Sequence, residues 1–156
     1  GDTLGLMPVK IPAVPLERCL DSRDLSEPQV SPRGDVLVFG ASQQGKGELR
    51  THGVSGGAEE LWLLEPAPSV TRGFGGGCFQ WLPDGSGVVY AAKTGGLWEA
   101  APGATSACRV DTQAPIAASR FGVAVSPNGE WIACVQNLCE LVVVHRATGE
   151  EHVSQQ

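Results

Sequence analysis

The 156-residue chain has little with which to grip a polyanion or cross a bilayer. Only 18% of it is charged, and 11 Lys and Arg face 17 Asp and Glu for a net charge of -6. No Lys/Arg cluster interrupts that balance, so nucleic-acid phosphate meets no broad cationic surface. No uncharged apolar run reaches the roughly 18 residues of a spanning helix, which excludes a helical membrane segment. No basic stretch followed by an apolar core opens the sequence, so a secretory leader is not expected. The five cysteines (Cys19, Cys78, Cys108, Cys134, Cys139) contain no C-x-x-C pair and are odd in number. Scattered in this way they read as small buried hydrophobes in a reducing compartment, with the cytoplasm as the expected location. Three histidines (His52, His145, His152) show no ligand spacing among themselves or with the cysteines, so no metal site is expected.

What the chain has in excess is punctuation. Its 21 Gly and 11 Pro interrupt helices, so many short strands are favoured over a few long helices. The length suits one domain with its own core.

Three segments repeat without gaps: "VSPRGDVLVFGA" (30–41), "WLPDGSGVVYAA" (81–92) and "VSPNGEWIACVQ" (125–136). Pro32, Pro83 and Pro127 superpose, as do Gly34, Gly85 and Gly129, with the prolines 51 and 44 residues apart. Proline presets φ at the first central position of a turn, and the glycine supplies a positive φ at its end. Extended residues flank each corner, and the strand that follows is apolar on both faces, as in a sheet sandwiched between layers. A leucine then opens a third extended run (Leu49, Leu97, Leu141), and a turn-rich stretch leads to a fourth. The expectation is an all-β fold: a partial β-propeller of about three four-stranded antiparallel blades, near residues 25–66, 73–112 and 118–156. Residues 1–20 lie outside the repeat, and Pro8, Pro12 and Pro15 make them an extended arm. "WIACVQNLCELVVVHRAT" also places Trp131, Val135, Leu138 and Val142 on one helical face. The β-branched run Val142–Val144 and the repeat alignment favour a strand, a turn at Gln136-Asn137, and a second strand.

Several motifs imitate catalytic loops. Gly40-x-x-x-x-Gly45-Lys46 has phosphate-loop spacing, but Gly47 stands where a Mg²⁺-binding Ser or Thr is needed and no helix follows. It reads as the hairpin loop 40–47 between two strands. "GVSGG" (53–57) matches the nucleophile elbow of α/β-hydrolases, with Asp84 or Asp111 and His145 or His152 in the right chain order after Ser55. The elbow requires a strand-to-helix turn, whereas Ser55 stands between extended runs and Asp84 is already used by a corner. "RGFGGGCFQW" (72–81) lacks the spacing of a dinucleotide cradle, and its glycines read as a close approach of backbones. Trp62, Trp81, Trp98 and Trp131 fall near strand ends and are expected to pack between blades. No catalytic, cofactor-binding or metal-binding residue is assigned, and no cofactor is expected.

The units "EPQVSPRGDVLVFGA", "GGGCFQWLPDGSGVVYAAKTGGLWEA" and "FGVAVSPNGEWIACVQ" resemble blades of the propeller that precedes the hydrolase domain in prolyl oligopeptidase family serine peptidases. Dipeptidyl-peptidase-like and acylaminoacyl-peptidase-like members are included in the resemblance, and TolB-type proteins use the same unit. The Ser-Pro-Asp-Gly corner and the "GGLW" after it carry the resemblance, which covers roughly residues 25–152. It implies an α/β-hydrolase partner in cis, absent from this chain, and peptide substrates whose entry the propeller restricts. The competing implication is a TolB-like scaffold that binds a protein partner. About three blades fall short of the four to eight that close a ring. Two apolar blade faces are then left open, to be covered by further blades or by self-association with another copy.

Overall fold

The computed structural model describes residues 22–70, 77–115 and 117–154. Among these there is no helix, and three four-stranded antiparallel sheets follow one another along the chain. Blade 1 comprises β1 (Asp24–Val30), β2 (Val36–Gln43), β3 (Lys46–Gly53) and β4 (Glu60–Trp62). Blade 2 comprises β5 (Phe79–Trp81), β6 (Val88–Ala91), β7 (Leu97–Ala100) and β8 (Cys108–Arg109). Blade 3 comprises β9 (Arg120–Val125), β10 (Trp131–Gln136), β11 (Glu140–His145) and β12 (Glu151–Val153). Each sheet keeps its strands in chain order, the up-and-down meander of a propeller blade. The expected N-terminal arm lies outside the described residues, as do Cys19 and Gly73–Gly76.

The repeated corner is built as its residues dictate. In each copy the residue before the proline donates its N–H to the carbonyl five residues on and accepts from the corner glycine. The pairs are Ser31–Val36 with Gly34, Leu82–Gly87 with Gly85, and Ser126–Trp131 with Gly129, all at 2.7 to 2.9 Å. The three glycines have φ of 77, 73 and 73°, the left-handed region that a side chain resists. In the first and third corners the serine hydroxyl also caps the next strand, accepting from Val36 N and Trp131 N. Leu82 replaces that serine in the second corner and is buried between blades instead.

Two apolar cores lie between the three blades. The first joins Val38, Leu49 and Trp62 of blade 1 to Phe79, Trp81, Val88 and Tyr90 of blade 2. The second joins Val89, Ala91 and Leu97 of blade 2 to Ile132, Cys134, Val142 and Val144 of blade 3. Strand β6 serves both, because alternate side chains point to opposite faces of a sheet. All four of its residues, Val88 to Ala91, are 0% exposed.

The ambiguous stretch 131–148 is strand, turn and strand, with Trp131 opposite His145 and Gln136 opposite Glu140. Its turn is centred one residue later than the sequence suggested. Asn137 (φ 50°) and Leu138 (φ 67°) take the two positive-φ positions, and Cys139 N closes the turn on Gln136 O. A tight two-residue hairpin needs that pair of conformations, and asparagine accepts the first with least strain. The cysteines depart further from expectation. Cys78 and Cys134 are buried, but Cys108 and Cys139 are exposed, and all four are free thiols. Cys108 lies on the short outermost strand and Cys139 on the hairpin tip, where there is no neighbouring layer to cover them.

Candidate functional site

Beyond the apolar cores, the blades are fastened by polar contacts that cross from one sheet to the next. Between blades 1 and 2, a bulge in β1 brings Glu27 into the left-handed region (φ 53°), and its Oε2 accepts from Cys78 N at 2.7 Å. Gln29 donates to Phe79 O at 2.9 Å, and Trp62 Nε1 donates to Ala104 O at 2.8 Å. Burial raises the Glu27 carboxyl above its ordinary value, against the hydrogen bond from Cys78 that lowers it. Burial, together with the adjoining Glu27 charge, pushes the Cys78 thiol far up, so it is inert as a nucleophile.

Between blades 2 and 3, Arg146 forks onto Glu99 with contacts of 2.8 and 2.6 Å. Deeper in, Asp111 and Arg120 are both 0% exposed at their side chains. Asp111 lies 3.0 Å from Arg109 Nε and 3.5 Å from Arg120 Nε, while Arg120 also reaches Glu151 and, at 3.6 Å, the Cys134 sulfur. Burial raises the Cys134 thiol, opposed by the neighbouring Arg120 guanidinium. Charges withdrawn from water in this way persist only when paired, so the cluster holds the end of blade 2 to both edge strands of blade 3.

The corners also touch. A Cβ added at Gly85 would lie 3.5 Å from Arg33 Cγ and 3.8 Å from Pro32 Cδ. One added at Gly129 would lie 3.6 Å from Pro83 Cδ. Each proline thus rests over the glycine of the following corner, and the three corners form a staircase along one rim.

The motifs that imitate catalytic loops fall into structural roles. Gly40 lies inside β2 and Lys46 begins β3, so the turn between them is only Gln44-Gly45, shorter than the 40–47 loop suggested by sequence. Gly40 and Gly47 are there for space: a Cβ would come within 2.9 Å of Val70 Cγ1 and 2.5 Å of Val70 O respectively. Ser55 stands exposed in a turn between antiparallel strands β3 and β4, without the strand-to-helix bend of an elbow. Its candidate partners are dispersed. Asp84 accepts from Ser86 N and Oγ in the second corner, and Asp111 is sealed among arginines. His145 contacts Thr148 Oγ1, and exposed His152 lies 3.7 Å from Glu150. Among the described residues no three His, Cys, Asp or Glu gather as a metal-binding group. Trp62, Trp81 and Trp98 pack into the core between blades 1 and 2, as expected. Trp131 instead lies on the outer side of blade 3, edge-on to His145 at 4.8 Å.

The interblade ion cluster was missed by sequence reasoning, which weighed Asp111 only as a hydrolase acid. A signal was present: Arg120 is a lone charge at the start of the apolar strand "RFGVAV".

The outer faces differ from the inner ones. On blade 1, Leu25, Pro28, Leu37, Phe39 and His52 line an open groove of about 420 Å³. On blade 3, Leu141 is 51% exposed. No described helix is long and apolar enough to cross a membrane.

No protein-family model and no curated protein matches the sequence. Solved structures do match in three dimensions. TolB from Acinetobacter baumannii superposes with a TM-score of 0.65 at 18% identity, over 82% of this chain and 31% of that one. Puromycin hydrolase gives 0.63 at 19% identity, over 85% of this chain and 22% of its own. Prolyl oligopeptidase B from Galerina marginata gives 0.55 at 15% identity, again over 85% and 22%. The chain therefore spans less than a third of the length of these proteins. Its described residues have the fold of three neighbouring blades of their propellers, with the ring not closed.

Proposed function

We propose that the chain is the non-catalytic propeller segment of a prolyl-oligopeptidase-like serine peptidase. Its role is to gate peptide access to an α/β-hydrolase domain carried outside these 156 residues, in the cytoplasm. The supporting observation is the match of all three blades to puromycin hydrolase and prolyl oligopeptidase B, each covering 85% of this chain. A stack of sheets fixed by buried ion pairs supplies a rigid wall, which is what steric exclusion of folded proteins requires. The corresponding match to TolB favours a second reading, a scaffold that binds a protein partner through its propeller face.

The coding sequence downstream separates the two. A strand-to-helix G-x-S-x-G motif followed by Asp and His supports the peptidase reading, and a stop after further blades supports the scaffold. The non-catalytic assignment has its own test. The chain and its Ser55→Ala variant should give equal, background rates on ester and prolyl-peptide substrates. Turnover abolished by Ser55→Ala would overturn it.

A further inference from the structure

We propose, building on the peptidase reading, that the hydrolase domain seats on the rim opposite the corners, with Leu138 as its apolar anchor. That rim carries the turn between the second and third strands of every blade. Two observations point to it, one from the path of the chain and one from the backbone of blade 3.

An even number of antiparallel strands returns the chain to the rim from which it started. Blade 1 begins at Asp24, which pairs with Ser42 beside the β2–β3 turn. Blade 3 ends at Val153, which pairs with Val142, and Ser154 N then donates to Leu141 O near the β10–β11 turn. The links between blades cross the same rim. Lys93 N donates to Ala67 O at 2.8 Å, and Asn137 N donates to Ser119 O at 3.2 Å. A ring of whole blades therefore receives and releases its chain on the turn side. A domain joined closely to either end of such a ring meets the turn rim first.

The three turns on this rim all use positive φ, but they fill it differently. Blade 1 places Gly45 there (φ 78°), and blade 2 places Gly95 and Gly96 (φ 102 and 79°). Blade 3 places Leu138 at φ 67°, a conformation that a bulky side chain resists. Burial does not offset that strain, because Leu138 is 59% exposed. An Asn-Gly pair would make the same hairpin unstrained, so the blade itself gives no reason for a leucine. Exposure alone would mean little for this residue type. Exposure together with backbone strain marks a position kept for an outside contact. The corner rim offers no counterpart. Its corner tips are Arg33, Asp84 and Asn128, all exposed and polar, and the exposed Val54 on that side is not held at positive φ.

Two native thiols report on the contact in the whole polypeptide that carries the hydrolase. Cys139 adjoins Leu138 on the turn, Cys108 lies on the outermost strand of blade 2, and both are exposed in this chain. Labelling with N-ethylmaleimide, followed site by site through peptide masses, should reach Cys139 at least about tenfold more slowly than Cys108. A thiol placed on the corner rim by Asn128→Cys should label as fast as Cys108. Leu138→Gly leaves an unstrained Asn-Gly turn, should keep the far-UV circular dichroism of the wild type, and should raise Cys139 labelling severalfold. Equal labelling of Cys139 and Cys108 in the wild type overturns the proposal. So does protection of Asn128→Cys in place of Cys139, and so does protection of Cys139 that Leu138→Gly does not relieve. All three outcomes leave the peptidase reading standing. A coding sequence with no hydrolase beside these blades overturns both together.

Discussion

The middle blade and the end blades are written in the same terms but live in different surroundings. Strand β6 is inaccessible along its whole length, while β10 buries Ile132 and Cys134 and leaves Trp131, Ala133 and Val135 half-covered. Both strands read as apolar on two faces in the sequence, and only the one with neighbours on both sides uses them. Leu97 and Leu141 make the point at a single position: identical residue, identical place in the repeat, opposite exposure. Burial in this fold is a property of the stack rather than of the blade.

The sharpest way to break the contrast is at the ion cluster between blades 2 and 3. Asp111→Ala should cost about 3 kcal/mol by urea denaturation, because it removes the buried carboxylate between Arg109 and Arg120 and leaves the sealed Arg120 guanidinium with Glu151 alone. Removing Glu48 from the half-buried pair on blade 1 should cost no more than about 1 kcal/mol, because Arg50 keeps Glu59. Next in size come the leucines. Leu97→Ala should destabilise by about 2–5 kcal/mol through the cavity it leaves. Leu141→Ala should cost only about 1 kcal/mol, since about half of the side chain is already exposed. Equal losses at the two positions would erase the distinction. Gly129→Ala should cost about 1–2 kcal/mol for its left-handed backbone.

The smallest effect is a pH dependence. Glu27 has a raised carboxyl pKa, so the folded state holds its proton more tightly than the unfolded state does. Its contribution is therefore complete below the ordinary value of 4.5 and fades as pH rises through the higher folded value. Glu27→Gln should gain on the wild type between mildly acid and neutral pH, as measured by thermal unfolding. A parallel pair of curves would sink the assignment.

The corners were legible because proline and glycine each impose a backbone angle, and that constraint does not depend on distant partners. The third-strand leucines were legible for the related reason that they recur at a fixed offset. Other features depend on contacts that no local pattern encodes. Asp111 and Arg120 meet because blade 3 docks on blade 2, and Gly40 and Gly47 are required by a segment around Val70, more than twenty residues away in sequence. The exposed Cys108 and Cys139 were misread for the same reason. Their apolar character was visible, but not that their strand and turn sit at margins with nothing beyond.

The staircase of corners has a consequence for how such a chain can vary. Its prolines are separated by 51 residues in one step and 44 in the next, yet each rests at nearly the same distance from the glycine that follows. The spacing between blades is thus fixed by a contact at the rim and not by the amount of chain between contacts. Insertions and deletions in the outlying loops leave the pitch unchanged, so those loops are free to diversify while the architecture stays in step.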